Sequence, residues 1–175
     1  QMSAGFLLSF IIVFVNAKES NNAVSEIDRS SEIINGTAGS TSTYPWIVFF
    51  RTSSGDQYCG GSLISPTWVL TAGHCFLNEA GNAIDIPTGA MSTVVLNSDT
   101  SSPLAGDAII GEIGQIIVHP NYQPDRETSP NSDDFDIALV ELTAAVSLQP
   151  VPLLDAGASL PAESMALVMG WGATG

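Results

Sequence analysis

From Ile33 onward, apolar residues fall in short runs separated by Gly, Pro, Ser or Asp: Trp46 to Arg51, Gly61 to Ser65, Trp68 to Ala72, Val94 to Leu96, Gly114 to His119, Ile137 to Leu142 and Ala166 to Trp171. Runs of this length, rich in Val, Ile, Leu and aromatic residues and bounded by turn formers, predict β-strands. No long stretch carries the 3.6-residue period of an amphipathic helix. Six strands before a seventh predict an all-β fold built on a small six-stranded antiparallel barrel, whose closure removes exposed sheet edges. Outside Val94 to Leu96, the stretch from Asn78 to Asp107 is irregular and predicts surface loops. No internal repeat is visible.

The pattern is different before Ile33. Phe6 to Val15 is almost purely apolar and is followed by Asn16-Ala17, so residues 1–17 read as a secretory signal peptide with a small-residue cleavage site. A membrane-spanning helix needs about 20 apolar residues, so this run predicts no stable membrane insertion. Gln1-Met2-Ser3 carries no basic residue and does not begin with methionine, so either a start upstream or a sequence incomplete at this end is expected. Residues 18–32 are polar, mixed in charge and free of aromatics, and they predict a pro-segment without a core of its own. The folded domain is then 33–175, and the leader implies a secreted, extracellular protein.

Composition narrows the range of partners. The 175 residues carry 18 acidic against 4 basic side chains, a formal net charge of -14. After Ile33 the only basic residues are Arg51 and Arg126, so the acidity belongs to the domain. Such a surface repels phosphate backbones and anionic bilayers, which excludes nucleic acid as a partner. Its simplest role is solubility.

The densest chemistry lies between Cys59 and Cys75. There a strand, a turn at Pro66 and a second apolar strand end in Gly73-His74-Cys75. A hairpin would bring the two cysteines together, and in an oxidising compartment a disulfide would pin the segment that bears His74. The alternative is a pair of buried free thiols. Two cysteines and one histidine are too few ligands for a structural zinc site. Glu79 is a lone carboxylate in its loop, far short of a calcium shell, so no metal and no cofactor are expected.

The stretch from Cys59-Gly-Gly-Ser-Leu-Ile to Trp68-Val-Leu-Thr-Ala-Gly-His74-Cys75 resembles the catalytic-histidine region of the trypsin-like (chymotrypsin-family) serine proteases. It departs from the family pattern at Gly73, where alanine is usual, and a glycine there adds backbone freedom beside the histidine. Asp133-Asp134-Phe135-Asp136-Ile-Ala-Leu-Val-Glu-Leu is similar to the strand that supplies the triad aspartate, and Asp136 is the match. Asp133 and Asp134 are rivals, read as turn residues. Ile33-Ile-Asn-Gly36 with Tyr44-Pro-Trp resembles the start of a mature member of the family. Val118-His119-Pro-Asn-Tyr122 resembles a turn before the aspartate strand, so His119 reads as structural. Pro124 to Asp134 reads as part of an inserted surface loop that begins at Gln123, and Met169-Gly-Trp-Gly172 resembles the opening of the second barrel.

The resemblance implies a double-barrel serine endopeptidase acting on protein or peptide substrates, with only the first strand of the second barrel in this sequence. It implies His74 as general base, Asp136 as its orienting partner, a Cys59–Cys75 disulfide, and Ile33 as the new N-terminus released by an activating protease. Glu32 precedes Ile33 where Arg or Lys is usual, and the nearest basic residue is Arg29, so that protease is expected to be a separate one. No Gly-Asp-Ser-Gly-Gly motif occurs, so the nucleophilic serine is expected beyond Gly175. The competing reading is a secreted protease homologue that binds rather than cuts, and a third is a truncated product. Retention of both His74 and Asp136 favours the enzyme.

Overall fold

The computed structural model describes residues 37–77, 93–101, 103–123, 135–162 and 164–171, together with the backbone of 11–13. The described residues form eight strands: β1 (Ile11–Val13), β2 (Ile47–Arg51), β3 (Gln57–Ser65), β4 (Trp68–Thr71), β5 (Thr93–Leu96), β6 (Ile109–Val118), β7 (Ala138–Leu142) and β8 (Leu167–Met169). Six of them close into an antiparallel barrel in the order β2-β3-β4-β7-β6-β5, with β5 pairing back onto β2. The fold is all-β with one closed six-stranded antiparallel barrel among the described residues, as expected. Strand β8 lies outside the barrel and pairs antiparallel with β1. Strand β1 falls inside the segment read as a signal peptide. Pro-segment residues 18–32, the Ile33 start and residues 124–134 of the inserted loop lie outside the described residues.

The barrel core follows from strand alternation. Successive side chains point to opposite faces, so Val48 and Phe50 of β2, Cys59 and Leu63 of β3, Val69 of β4, Val94 and Leu96 of β5, and Ala138, Val140 and Leu142 of β7 meet inside. Gly61 shares that inward face. A Cβ there would stand 2.7 Å from Val69 Cγ1 and 3.1 Å from Val48 Cγ2, so only glycine lets β2 and β4 pack this closely across β3. Phe49 points the other way and is nonetheless fully buried, its ring 4.7 Å from that of Trp171. Both faces of β2 are thus covered, which is why it reads as an unbroken apolar run.

Strand β6 starts at Ile109, five residues before the expected Gly114. Its first half pairs with β5 and its second half with β7, and the register shifts between Ile113 and Gln115. One bent strand therefore serves two neighbours, with the bend at Gly114.

Candidate active site

Strands β4 and β7 are antiparallel neighbours, with Thr71 opposite Ala138. The residues just after Thr71 therefore meet those just before Ala138. Beyond Thr71 the chain makes one 3₁₀ turn, Gly73–Cys75, closed by the Phe76 N–H donating to the Gly73 carbonyl at 3.0 Å. Its last residues are fixed from below. Cys75 is fully buried and disulfide-bonded to Cys59 on β3, and the buried Phe76 ring meets Phe50 edge to face at 5.5 Å. His74 directly precedes these two anchors, which tie its segment to β3 and β2.

Asp136 lies two residues before β7, where the Ile137 N–H donates to the Phe135 carbonyl at 2.7 Å and closes a tight turn around it. Both of its carboxylate oxygens bond to His74. The His74 backbone N–H donates to Oδ1 at 2.7 Å, and Nδ1 lies 2.6 Å from Oδ2. An ionised carboxylate offers only acceptors, so the ring proton resides on Nδ1 and Nε2 is left as the basic nitrogen. The two side chains keep 25% and 21% of their surface in solvent, enough for the ring to be reached from outside. This arrangement can hold an imidazole in one tautomer, accept a proton at Nε2 and stabilise the imidazolium that results.

The structure thus brings together His74, Asp136, Cys59 and Cys75. His119 stands apart from the pair, in the turn before residue 123. The rivals Asp133 and Asp134, and also Glu79 and Ile33, lie outside the described residues. Cys59, Cys75 and His74 present sulfur and nitrogen atoms within 4.8 Å of one another. Disulfide sulfurs have no thiolate to offer, so this grouping does not make a metal site.

Gly73 behaves differently from the sequence expectation of added freedom. It is buried, and a Cβ on it would stand 3.0 Å from Tyr122 Cδ1, 3.1 Å from Val118 Cγ1 and 3.3 Å from Asp136 Oδ1. The position is crowded rather than loose. Phe135 is another residue the sequence did not single out. Its φ of 61 is left-handed, unusual for a bulky side chain, and its ring stacks on His119. Its place directly before Asp136 is the one signal that could have drawn attention to it.

The trypsin family model matches residues 33–175. The chain belongs to the trypsin family. Among its curated relatives, a trypsin of Phaedon cochleariae is 32% identical over 174 residues, covering 97% of this chain and 60% of that protein. A trypsin of Simulium vittatum is 30% identical over 176 residues, covering 96% and 62% respectively. Ovochymase of Halocynthia roretzi is 31% identical over 162 residues, covering 89% of this chain and 9% of that much longer protein. The chain therefore spans about three fifths of the length of the two trypsins. Its family is one of serine proteases, and its barrel, disulfide and histidine–carboxylate pair occupy the matched region.

Proposed function

We propose that this chain is the first part of a secreted serine endopeptidase, and that His74 and Asp136 are two members of its catalytic triad. The observation that carries this reading is the double bond from His74 to Asp136, at 2.7 and 2.6 Å, where the ends of β4 and β7 meet. In the whole protein a serine hydroxyl, supplied by sequence not contained here, gives its proton to His74 Nε2 as its oxygen attacks the scissile carbonyl carbon. Asp136 holds the ring in place and balances the imidazolium charge. His74 then returns the proton to the leaving amine, and water releases the acyl group by the same route.

Membership of the family, the disulfide and the hydrophobic leader all favour an exported protein. Among the described residues no helix is long and apolar enough to cross a membrane. Residues 1–17 would be removed on export and residues 18–32 on activation, the second cut falling between Glu32 and Ile33 and needing a separate protease. Protein or peptide chains are the substrates.

The test is covalent labelling. The whole protein takes up a serine-directed fluorophosphonate and cleaves peptide esters, whereas residues 1–175 alone do neither, because they lack both the hydroxyl and the oxyanion donors. A mature whole protein that neither labels nor cleaves would point instead to a binding protein.

A further inference from the structure

The turn His119–Tyr122 touches both residues that immediately precede the histidine–carboxylate pair. Within it, the Tyr122 N–H donates to the His119 carbonyl at 3.0 Å, and the Asn121 N–H donates to His119 Nδ1 at 3.2 Å. Because Nδ1 accepts, the His119 proton sits on Nε2 and the ring is held in one orientation. That ring stacks on Phe135 with centroids 4.8 Å apart and planes inclined by 8°. Phe135 keeps 52% of its surface exposed, so the contact does little for the core. At φ 61 it also holds a backbone conformation that a bulky residue rarely adopts, and such outliers persist only where their surroundings over-determine them. The His119 N–H donates to the Ile137 carbonyl at 2.9 Å, fastening the turn to the far side of Asp136 as well. At the other end of the turn, Tyr122 Cδ1 stands 3.0 Å from where a Cβ on Gly73 would be, so the ring lies directly against the backbone that leads into His74.

We propose that the His119–Tyr122 turn is a clamp that sets the segment before His74 in register with the segment before Asp136, with His119 and Tyr122 as positioning residues. Each acts through a neighbour of the pair, His119 through Phe135 and Tyr122 through Gly73. An added methyl group at Gly73 would require the Tyr122 ring, Val118 or the Asp136 carboxylate to give by a few tenths of an ångström.

The proposal rests on the protease reading for its consequence in turnover but not for its geometry, and two measurements on the whole protein separate them. The first is the proton NMR resonance of His74 Nδ1–H, which a strong bond to Asp136 moves far downfield. It is expected in the wild type, weakened or lost in His119→Ala and Tyr122→Ala, and restored in His119→Phe and Tyr122→Phe, which keep the rings. Should His119→Ala not fold, Phe135→Gly removes the same stack and is expected to weaken the resonance in the same way.

The second measurement is kinetic. In the alanine variants kcat falls about tenfold with KM unchanged, and the acid limb of the pH–rate profile moves to lower pH, because a poorly placed Asp136 stabilises the imidazolium less. A purely structural turn would lower the melting temperature and leave the resonance and the profile where they were, which would overturn the clamp. A wild type without the resonance would overturn it too. A wild type that shows the resonance and loses it in His119→Ala, yet cleaves nothing, would uphold the clamp and refute only the protease reading.

Discussion

Asp99 shows how much one side chain can organise. It accepts hydrogen bonds from the Thr41 N–H at 2.6 Å, the Thr41 hydroxyl at 2.7 Å and the Ser40 hydroxyl at 3.0 Å, tying the segment before β2 to the loop after β5. These donors, the Thr41 backbone first, hold its carboxyl below the ordinary value of 3.8. A depressed carboxylate contributes stability that is fully present above the unfolded value and is lost as pH falls through the folded one. Asp99→Asn is therefore expected to lower stability by about 0.5–1 kcal/mol near neutral pH, discounted for the exposure of the site, and to cost nothing in strong acid. Paired urea titrations of the two proteins at neutral pH and in acid well below the lowered carboxyl value would check this, and a difference that persisted there would contradict it. Gly73→Ala must displace Tyr122, Val118 or the Asp136 carboxylate, and an overpacking cost of about 1–3 kcal/mol is expected in a thermal melt. His74 and Asp136 were legible in the sequence because their flanking motifs are specific. The contacts of Gly73, Tyr122 and Phe135 were not, because they join segments far apart in the chain.

Among the elements, the strands that were legible are those whose apolar runs no glycine interrupts. Strands β2, β4, β5 and β7 lie within a residue of where the pattern put them, and the terminal run shortens to β8. The first half of β6 was hidden because Gly111 and Gly114 interrupt its run. Gly111 has a packing reason, since a Cβ on it would meet Leu142 Cδ2 at 3.2 Å, whereas Gly114 sits at the bulge. Strand β3 likewise starts ahead of expectation, at Gln57, where polar residues carry the hairpin with β2. The Cys59–Cys75 bond joins β3 to the 3₁₀ turn across a sequence separation of 16. Closing a loop of that length is worth about 3 kcal/mol in the chain-entropy account. Replacing both cysteines by alanine should lower stability by roughly 2–4 kcal/mol, and it should also free the His74 segment. Chemical denaturation tests the first effect, and amide hydrogen exchange at residues 73–76 tests the second.

At the scale of the whole molecule, the described barrel carries the His74–Asp136 pair where the ends of β4 and β7 meet. Trp171 against Phe49 fastens the chain leading out of the barrel to its outer face. The seventh apolar run was correctly read as lying outside the barrel, whereas the pairing of β8 with β1 was not legible, because strand partners depend on the approach of distant segments. Maturation is expected to release Ile-Ile-Asn-Gly as the new N-terminus, and Edman sequencing of active protein would show it. A start at Ser30, after Arg29, would leave three residues ahead of Ile33 and contradict a cut between Glu32 and Ile33. The central claim is that His74, oriented by Asp136, is the base of a serine hydrolase. The most direct measurement is kcat/KM of the mature whole protein and of its His74→Ala and Asp136→Asn variants on a peptide ester. The account predicts near-complete loss in His74→Ala and a fall of about 10⁴-fold in Asp136→Asn with the fold intact, a magnitude carried over from the equivalent substitution in trypsin. Full activity in His74→Ala would contradict it.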